Sequence, residues 1–214
     1  MLPKQYGIFY KKKSDTEKQK IKALYNLPDQ FFLSVGSIIP RKNLLTVCKA
    51  FYELKNVINI PLVVIGEGRR YKEEVKRYIT DKGLMDRIIF LNDTSQAQSS
   101  RSFATGEDFP AIYQQALCMI YPSIFEGFGL PVLEAMQSGL PVITSNLSCL
   151  PETGGNAAYY VDPLSVKDMA SAIAAIAADE MLRTDMIRRG HEHAKFFLQE
   201  KCAERVMNVY TSLF

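Results

Sequence analysis

At 214 residues, against about 150 for a typical domain, the chain holds one large domain or two cramped ones and has little room for a complete two-domain enzyme. Hydrophobic residues make up 47% and charged residues 23%, a globular balance that lets a chain of this length bury about 70% of its unfolded surface and excludes wholesale disorder. Lys and Arg number 26 against 23 Asp and Glu, a net charge of +3, which is too weak to call for a nucleic-acid partner.

Residues 1–30 are polar, with Lys11, Lys12 and Lys13 ahead of a lysine-rich stretch. They read as an incoming linker that ends in a short helix, with packing expected to begin near Phe31. From there apolar runs of strand length at 31–35, 62–65, 88–91, 117–121 and 141–144 alternate with amphipathic stretches at 44–54, 70–82, 109–115 and 131–137. The runs are continuous rather than alternating, as strands buried on both faces require. Strand followed by helix, repeated, means β-α-β units and an α/β class with a Rossmann-like, doubly wound parallel sheet. The small polar segment 94–106 reads as a mobile loop, and 157–161 suits a sixth strand.

Beyond that the pattern is helical only. Ser165 opens a capping-box form with Asp168 in place of the usual Glu, for a helix ending near Ala178. Further helices are expected over 180–190 and 191–212, giving a packed domain over 31–190 and a C-terminal helical segment over 191–214. Cys48, Cys118, Cys149 and Cys202 form no C-x-x-C pair and read as buried free thiols of a reducing compartment. No apolar run approaches the roughly 18 residues of a membrane span, and Met1 is not followed by a basic and then apolar leader. The expected setting is cytoplasmic.

In a doubly wound sheet ligands bind at the carboxyl ends of the strands, so the residues just after each strand carry the chemistry. After the first come Gly36, which lets a ligand approach the backbone, and then Arg41 and Lys42 ahead of a helix. These two are either a solvated cationic pair or an anion site, since an anion would relieve their conflict with the positive end of the helix. After the second, Gly66-Glu67-Gly68 is either a turn facing a ligand or a plain strand-to-helix turn. It is not G-x-G-x-x-G, because Tyr71 takes the third glycine's place, and no P-loop pattern occurs. Both facts argue against a dinucleotide dehydrogenase and an ordinary ATPase or GTPase.

After the fourth strand runs Glu126-Gly127-Phe128-Gly129-Leu130-Pro131, with Glu134 further on. Pro131 suits the first helical position, where its missing N–H costs nothing, so residues 127–130 present free N–H groups at a helix N-terminus, an end that attracts anions. Glu126 before the helix and Glu134 in its first turn bring two carboxylates, acceptors for sugar hydroxyls, to one crevice. The plainer alternative is a Glu134 that only complements the helix dipole and a solvated Glu126.

The spacing Glu126-x7-Glu134, the glycines inside it and Gly139-Leu140-Pro141-Val142 after it resemble the E-x7-E signature of the family-4 retaining glycosyltransferases. FFLSVGSIIPRKN, the Gly66–Gly68 turn, Leu150-Pro151-Glu152 and Val161-Asp162-Pro163 also fall in that family's order, so the resemblance covers most of the chain. It implies one half of a GT-B fold, the carboxy-terminal Rossmann-like domain that holds a nucleotide sugar, with extra C-terminal helices. It further implies transfer of a hexose from a UDP- or GDP-sugar to an acceptor hydroxyl with retention of configuration. No cofactor is implied, and the lack of a D-x-D motif disfavours a metal-dependent transferase.

By that resemblance Arg41 and Lys42 bind the diphosphate and balance its charge as it leaves, and Glu126 hydrogen-bonds the transferred sugar near the reacting carbon. Gly36 and the backbone of Gly127, Phe128, Gly129 and Leu130 line the phosphate and sugar, Glu134 holds the ribose hydroxyls, and the base lies against Leu91 and Asn92. The family's amino-terminal domain, which binds the acceptor, a glycan or lipid-linked sugar, is expected to be absent, leaving the isolated chain inactive or dependent on a partner. Helices beyond His191 would pack on that domain, which frees Phe196, Phe197, Val206 and Tyr210 for contact or self-association. Lys11 to Lys13 read as a solvated linker or a contact with anionic lipid. His191 and His193, two apart on a helix, read as packing rather than metal ligands, and Tyr113, Tyr121, Tyr159 and Tyr160 as core or rim aromatics. Two further readings stand beside the transferase: a nucleotide-sugar-binding module or subunit without transfer, and a sugar-nucleotide epimerase of related fold.

Overall fold

The continuous apolar runs become the strands of a parallel sheet, because each is covered on both faces. In the computed structural model the described residues are 8–213, without the side chains of Gln199, Glu200, Cys202 and Arg205. The reading of Cys202 as a buried thiol therefore lies outside the described residues, as does the start of the expected linker. The strands are β1 (Phe32–Val35), β2 (Leu62–Ile65), β3 (Ile88–Phe90), β4 (Cys118–Tyr121), β5 (Val142–Ser145) and β6 (Tyr159–Val161). They pair in parallel in the order β3-β2-β1-β4-β5-β6, with Phe32 of β1 opposite Leu62 on one side and Cys118 on the other. The winding reverses between β1 and β4, which makes that boundary the switch point where a doubly wound sheet opens a crevice.

The helices are α1 (Asp15–Tyr25), α2 (Leu44–Glu53), α3 (Arg70–Asp81), α4 (Ser95–Ser99), α5 (Arg101–Ala104), α6 (Phe109–Tyr113), α7 (Leu130–Gln137), α8 (Leu150–Gly154), α9 (Val166–Ala178), α10 (Glu180–Ala194) and α11 (Gln199–Thr211). Successive strand residues point to opposite faces, and the core divides accordingly. Phe32, Leu62, Val64, Ile120 and Ile143 pack with α2, α3 and α9 through Val47, Phe51, Val75, Ile79 and Ile173. Leu33, Val63, Met119 and Val142 pack with α1, α6 and α7 through Ile21, Ile112, Tyr113, Leu133 and Met136. No helix among the described residues is long and apolar enough to cross a membrane.

Four expectations are corrected by packing. The core begins well before Phe31: Phe9, Ile21 and Tyr25 are buried, Ser14 and Glu17 form a full capping box on α1, and the Tyr25 hydroxyl donates to Asp108 at 2.5 Å. The segment 94–106 is α4 and α5 rather than a loop; its hydroxyls are caps, with Thr94 accepting from the Ala97 N–H and Ser100 from the Phe103 N–H, while Phe103 is buried. A cap of this kind is worth about 1 kcal/mol. The helix does not stop at Gly190. It runs to Ala194, and Gly190 within it lies against Met136 of α7, where an added Cβ would stand 3.3 Å from the Met136 Cγ. Finally, Cys48 and Cys118 are buried free thiols, both pushed up by burial, whereas Cys149 is only partly buried.

Candidate active site

Beyond β1 the chain turns sharply. Gly36 adopts φ +136°, a conformation L side chains rarely take. The turn then runs against the end of β2: the Gly36 N–H donates to the Ile65 carbonyl at 2.9 Å and Ile38 bridges Gly68 in parallel. A Cβ on Gly66 would stand 1.9 Å from the Gly36 oxygen, and one on Gly68 2.4 Å from the Ile38 oxygen. The glycines of Gly66-Glu67-Gly68 are thus required by backbone meeting backbone.

Arg41 and Lys42 sit on a 3-10 turn, Pro40–Lys42, ahead of α2. Asn43, at φ 60°, anchors that turn by donating from Nδ2 to the Pro163 carbonyl at 2.5 Å. Both cations reach one carboxylate oxygen: Arg41 Nη1 is 2.9 Å and Lys42 Nζ 2.5 Å from Glu126 Oε1. Tyr121, the last residue of β4, joins them. Its hydroxyl accepts from Lys42 Nζ and donates to Glu126 Oε1 at 3.1 Å, while the ammonium also lies 4.5 Å from the ring centroid.

Burial opposes charge on Glu126, but the contacts from Lys42 and Arg41 outweigh it and hold the carboxyl below its usual range. Burial also pushes the Lys42 ammonium down, more than Glu126 raises it. The Tyr121 hydroxyl is pushed far up by burial and by the neighbouring carboxylate, so it stays a neutral donor. In this arrangement one carboxylate neutralises one of two cations and leaves a net positive crevice.

Gly129 caps α7 at φ 89°, and a Cβ there would stand 2.8 Å from Leu150 Cδ2. The segment 126–128 is pinned from the α8 side. The Ser148 hydroxyl donates to the Glu126 carbonyl at 2.8 Å and accepts the Glu126 N–H at 3.2 Å, and the Thr153 hydroxyl donates to the Phe128 carbonyl. A Cβ on Gly127 would meet nothing within 4 Å. The helix starts at Leu130, so Pro131 is its second residue and Glu134 lies in the second turn rather than the first. There the dipole's pull has faded, and Glu134 instead accepts from the Tyr113 hydroxyl at 3.0 Å. Burial pushes its carboxyl up despite that bond.

At the end of β3 the Leu91 side chain is 1% exposed and belongs to the core, which leaves only its backbone for a ligand. Asn92 Oδ1 accepts the Gly66 N–H at 2.8 Å. Asp93 takes Lys72 at 2.6 Å and Lys76 at 2.9 Å, and Lys72 also reaches Glu67 at 3.3 Å. The fold thus brings Arg41, Lys42 and Glu126 into direct contact beside Gly36, with Gly127, Phe128, Gly129 and Leu130 running on from Glu126. Tyr121 was missed as a site residue, although its place as the last residue of β4, at the switch point, is the signal that marks it. His193 packs against Phe196 and Phe197.

The sheet and this cluster define a doubly wound α/β domain with a charged crevice at its switch point. Residues 15–193 match the family described as glycosyl transferases group 1, and the chain belongs to that family. It is similar to the O-antigen chain mannosyltransferase B of Escherichia coli, 32% identical over 185 residues that make up 86% of this chain and 46% of that relative. The chain thus spans less than half of that protein. Its fold matches the C-terminal domain of a group 1 glycosyl transferase from Francisella tularensis, with a TM-score of 0.70 at 23% identity, covering 92% of this chain and 97% of that one. It also matches an Anabaena protein solved with UDP and glucose, with a TM-score of 0.74 at 18% identity over 94% of this chain and 54% of that one. The fold is the Rossmann-like half of the GT-B architecture.

Proposed function

We propose that the chain is the donor-binding half of a family-4 retaining glycosyltransferase that moves a hexose from a UDP- or GDP-sugar to an acceptor hydroxyl. The observation that carries this reading is the convergence of Arg41 and Lys42 on Glu126 beside the N-terminus of α7. Cleaving the sugar from a nucleoside diphosphate develops negative charge on the leaving oxygen. Arg41, Lys42 and the N–H groups of residues 127–130 are fixed in advance to receive it, which is how such a site works without a metal.

A diphosphate that takes the two cations displaces Glu126 from them, and the freed carboxylate turns to the sugar near the reacting carbon, steadied by the Tyr121 hydroxyl. Front-face attack by the acceptor through an oxocarbenium-like state then retains configuration. Glu134, positioned by Tyr113, serves the ribose hydroxyls, and the turn at Leu91 and Asn92 serves the base. The two glutamates have different partners and do not form a glycosidase pair.

The acceptor belongs to a further domain or subunit, and Val206, Val209 and Tyr210, exposed on α11, offer it an apolar face or serve self-association. Lys11 and Lys12, both exposed, suit contact with anionic lipid, and a nucleotide-sugar donor suits the cytoplasm. The name of the E. coli relative supports mannose as the first hexose to test. In the full protein Glu126→Ala should lower transfer by orders of magnitude while nucleotide binding persists; normal turnover by that variant would refute the assignment.

A further inference from the structure

The end of α10 is held from two other parts of the domain. The Tyr10 hydroxyl donates to the Ala194 carbonyl at 3.0 Å, which ties the segment ahead of α1 to the helix. His193 Nε2 lies 3.2 Å from the Glu152 carbonyl of α8; a carbonyl only accepts, so that nitrogen carries the proton and donates. Gly155, at φ 54°, leaves room for the imidazole, since a Cβ there would stand 2.4 Å from His193 Cε1. The chain then makes a 3-10 turn, Lys195–Phe197, and enters α11, whose described side chains are all exposed. A helix of 13 residues with no buried side chain among those described takes its position from the turn on which it hangs.

This joint touches the loop that presents the N–H groups of residues 127–130. Phe197 meets Phe128 edge to face, with ring centroids 5.6 Å apart at 86°, and His193 backs Phe197 at 5.3 Å. Between Gly127 and Gly129, Phe128 carries the only side chain by which that stretch of backbone can be steered. We propose that Phe197 is a positioning residue for the loop 127–130, and that through its contact with Phe128 the binding of a nucleoside diphosphate and the placement of α11 are coupled. A loop that tightens on phosphate moves the Phe128 ring, and an edge-to-face pair keeps its geometry only if Phe197 follows. Phe197 stands two residues ahead of α11, so the helix follows in turn. Such coupling is reciprocal: a contact that shifts α11 changes nucleotide affinity by the same factor. The inference rests on the donor-site reading above.

The sequence has no Trp, so Phe196→Trp, at a ring 53% exposed within the turn, makes a single fluorescent reporter of the joint. Titration with UDP and GDP should shift its emission, with a midpoint that matches the Kd from calorimetry. Phe128→Ala in the reporter chain should abolish the shift at nucleotide concentrations where calorimetry still shows the site filled. Without the reporter, Phe197→Ala and Phe128→Ala should each weaken binding by about three- to tenfold, and the double variant should lose no more than either alone. Phe197→Leu, which keeps an apolar side chain, should recover part of the loss. Ile79→Val, in the core on the opposite face of the sheet, lowers the thermal midpoint without touching these rings and should leave affinity unchanged. A silent reporter beside a filled site overturns the proposal, as does a shift that survives Phe128→Ala. Losses that multiply in the double variant, or an Ile79→Val chain that loses affinity as Phe197→Ala does, overturn it equally. Failure of the donor site itself looks different: no nucleotide binds, or Arg41→Ala leaves every affinity unchanged, and then both readings fall.

Discussion

Two strand-end clusters in this domain are near mirror images in charge. At the ends of β1 and β4 two cations, Arg41 and Lys42, converge on one carboxylate. At the ends of β2 and β3 two carboxylates, Glu67 and Asp93, converge on Lys72, with Lys76 behind. Burial pushes both lysines down. At Lys72 two carboxylates outweigh it and leave the ammonium above its usual value, while at Lys42 a carboxylate shared with Arg41 does not. The Arg41 side chain is 46% exposed and that of Lys72 6%. On the proposed function the first cluster trades its internal anion for a ligand's, while the second ties the turns after β2 and β3 together.

That contrast breaks most sharply at the backbone. Gly66→Ala forces a methyl into the Gly36 carbonyl and should cost about 3 kcal/mol in denaturant unfolding, whereas Gly127→Ala, in open space, should change stability by less than about 0.5 kcal/mol and yet weaken nucleotide binding by filling the crevice. Equal destabilisation by the two would end the distinction. Lys72→Ala leaves Asp93 with Lys76 alone and Glu67 to solvent and should cost about 1 kcal/mol of stability, read from the same unfolding curves.

Smaller effects sharpen the comparison. Glu126→Gln removes the anion that competes for Arg41 and Lys42, so diphosphate affinity by calorimetry should rise several-fold. The same variant tests the charge state of Glu126, whose folded value is depressed. Stability from such a group is fully present above the unfolded-state value of about 4.3 and is lost as pH falls through the lower folded value. The stability gap between the unaltered chain and Glu126→Gln should therefore close on acidification below that range and stay constant above it.

Much of this organisation is legible in the sequence, and the parts that are not share a cause. Strands β2, β4 and β5 are buried at every position, so composition alone marks them, and the glycines around Glu126 advertise the helix N-terminus. By contrast α1 is concealed by its lysines, since only Ile21 and Tyr25 within it face inward. Thr94 and Ser100 look like loop residues until seen capping α4 and α5. The glycines of the β2 turn and the role of Tyr121 depend on partners far away in sequence, with Lys42 and Tyr121 separated by 79 positions. Periodicity reports local geometry and says nothing about such pairs. Leu91, by the same logic, stands beside the site in sequence but points into the core.

The most direct test of the exchangeable cluster is calorimetric titration of the chain with UDP and GDP, repeated with Arg41→Ala. The account predicts that one of the two binds selectively and that the substitution weakens it by about tenfold or more. Binding that ignores the loss of Arg41, or no binding of either nucleotide, would contradict it.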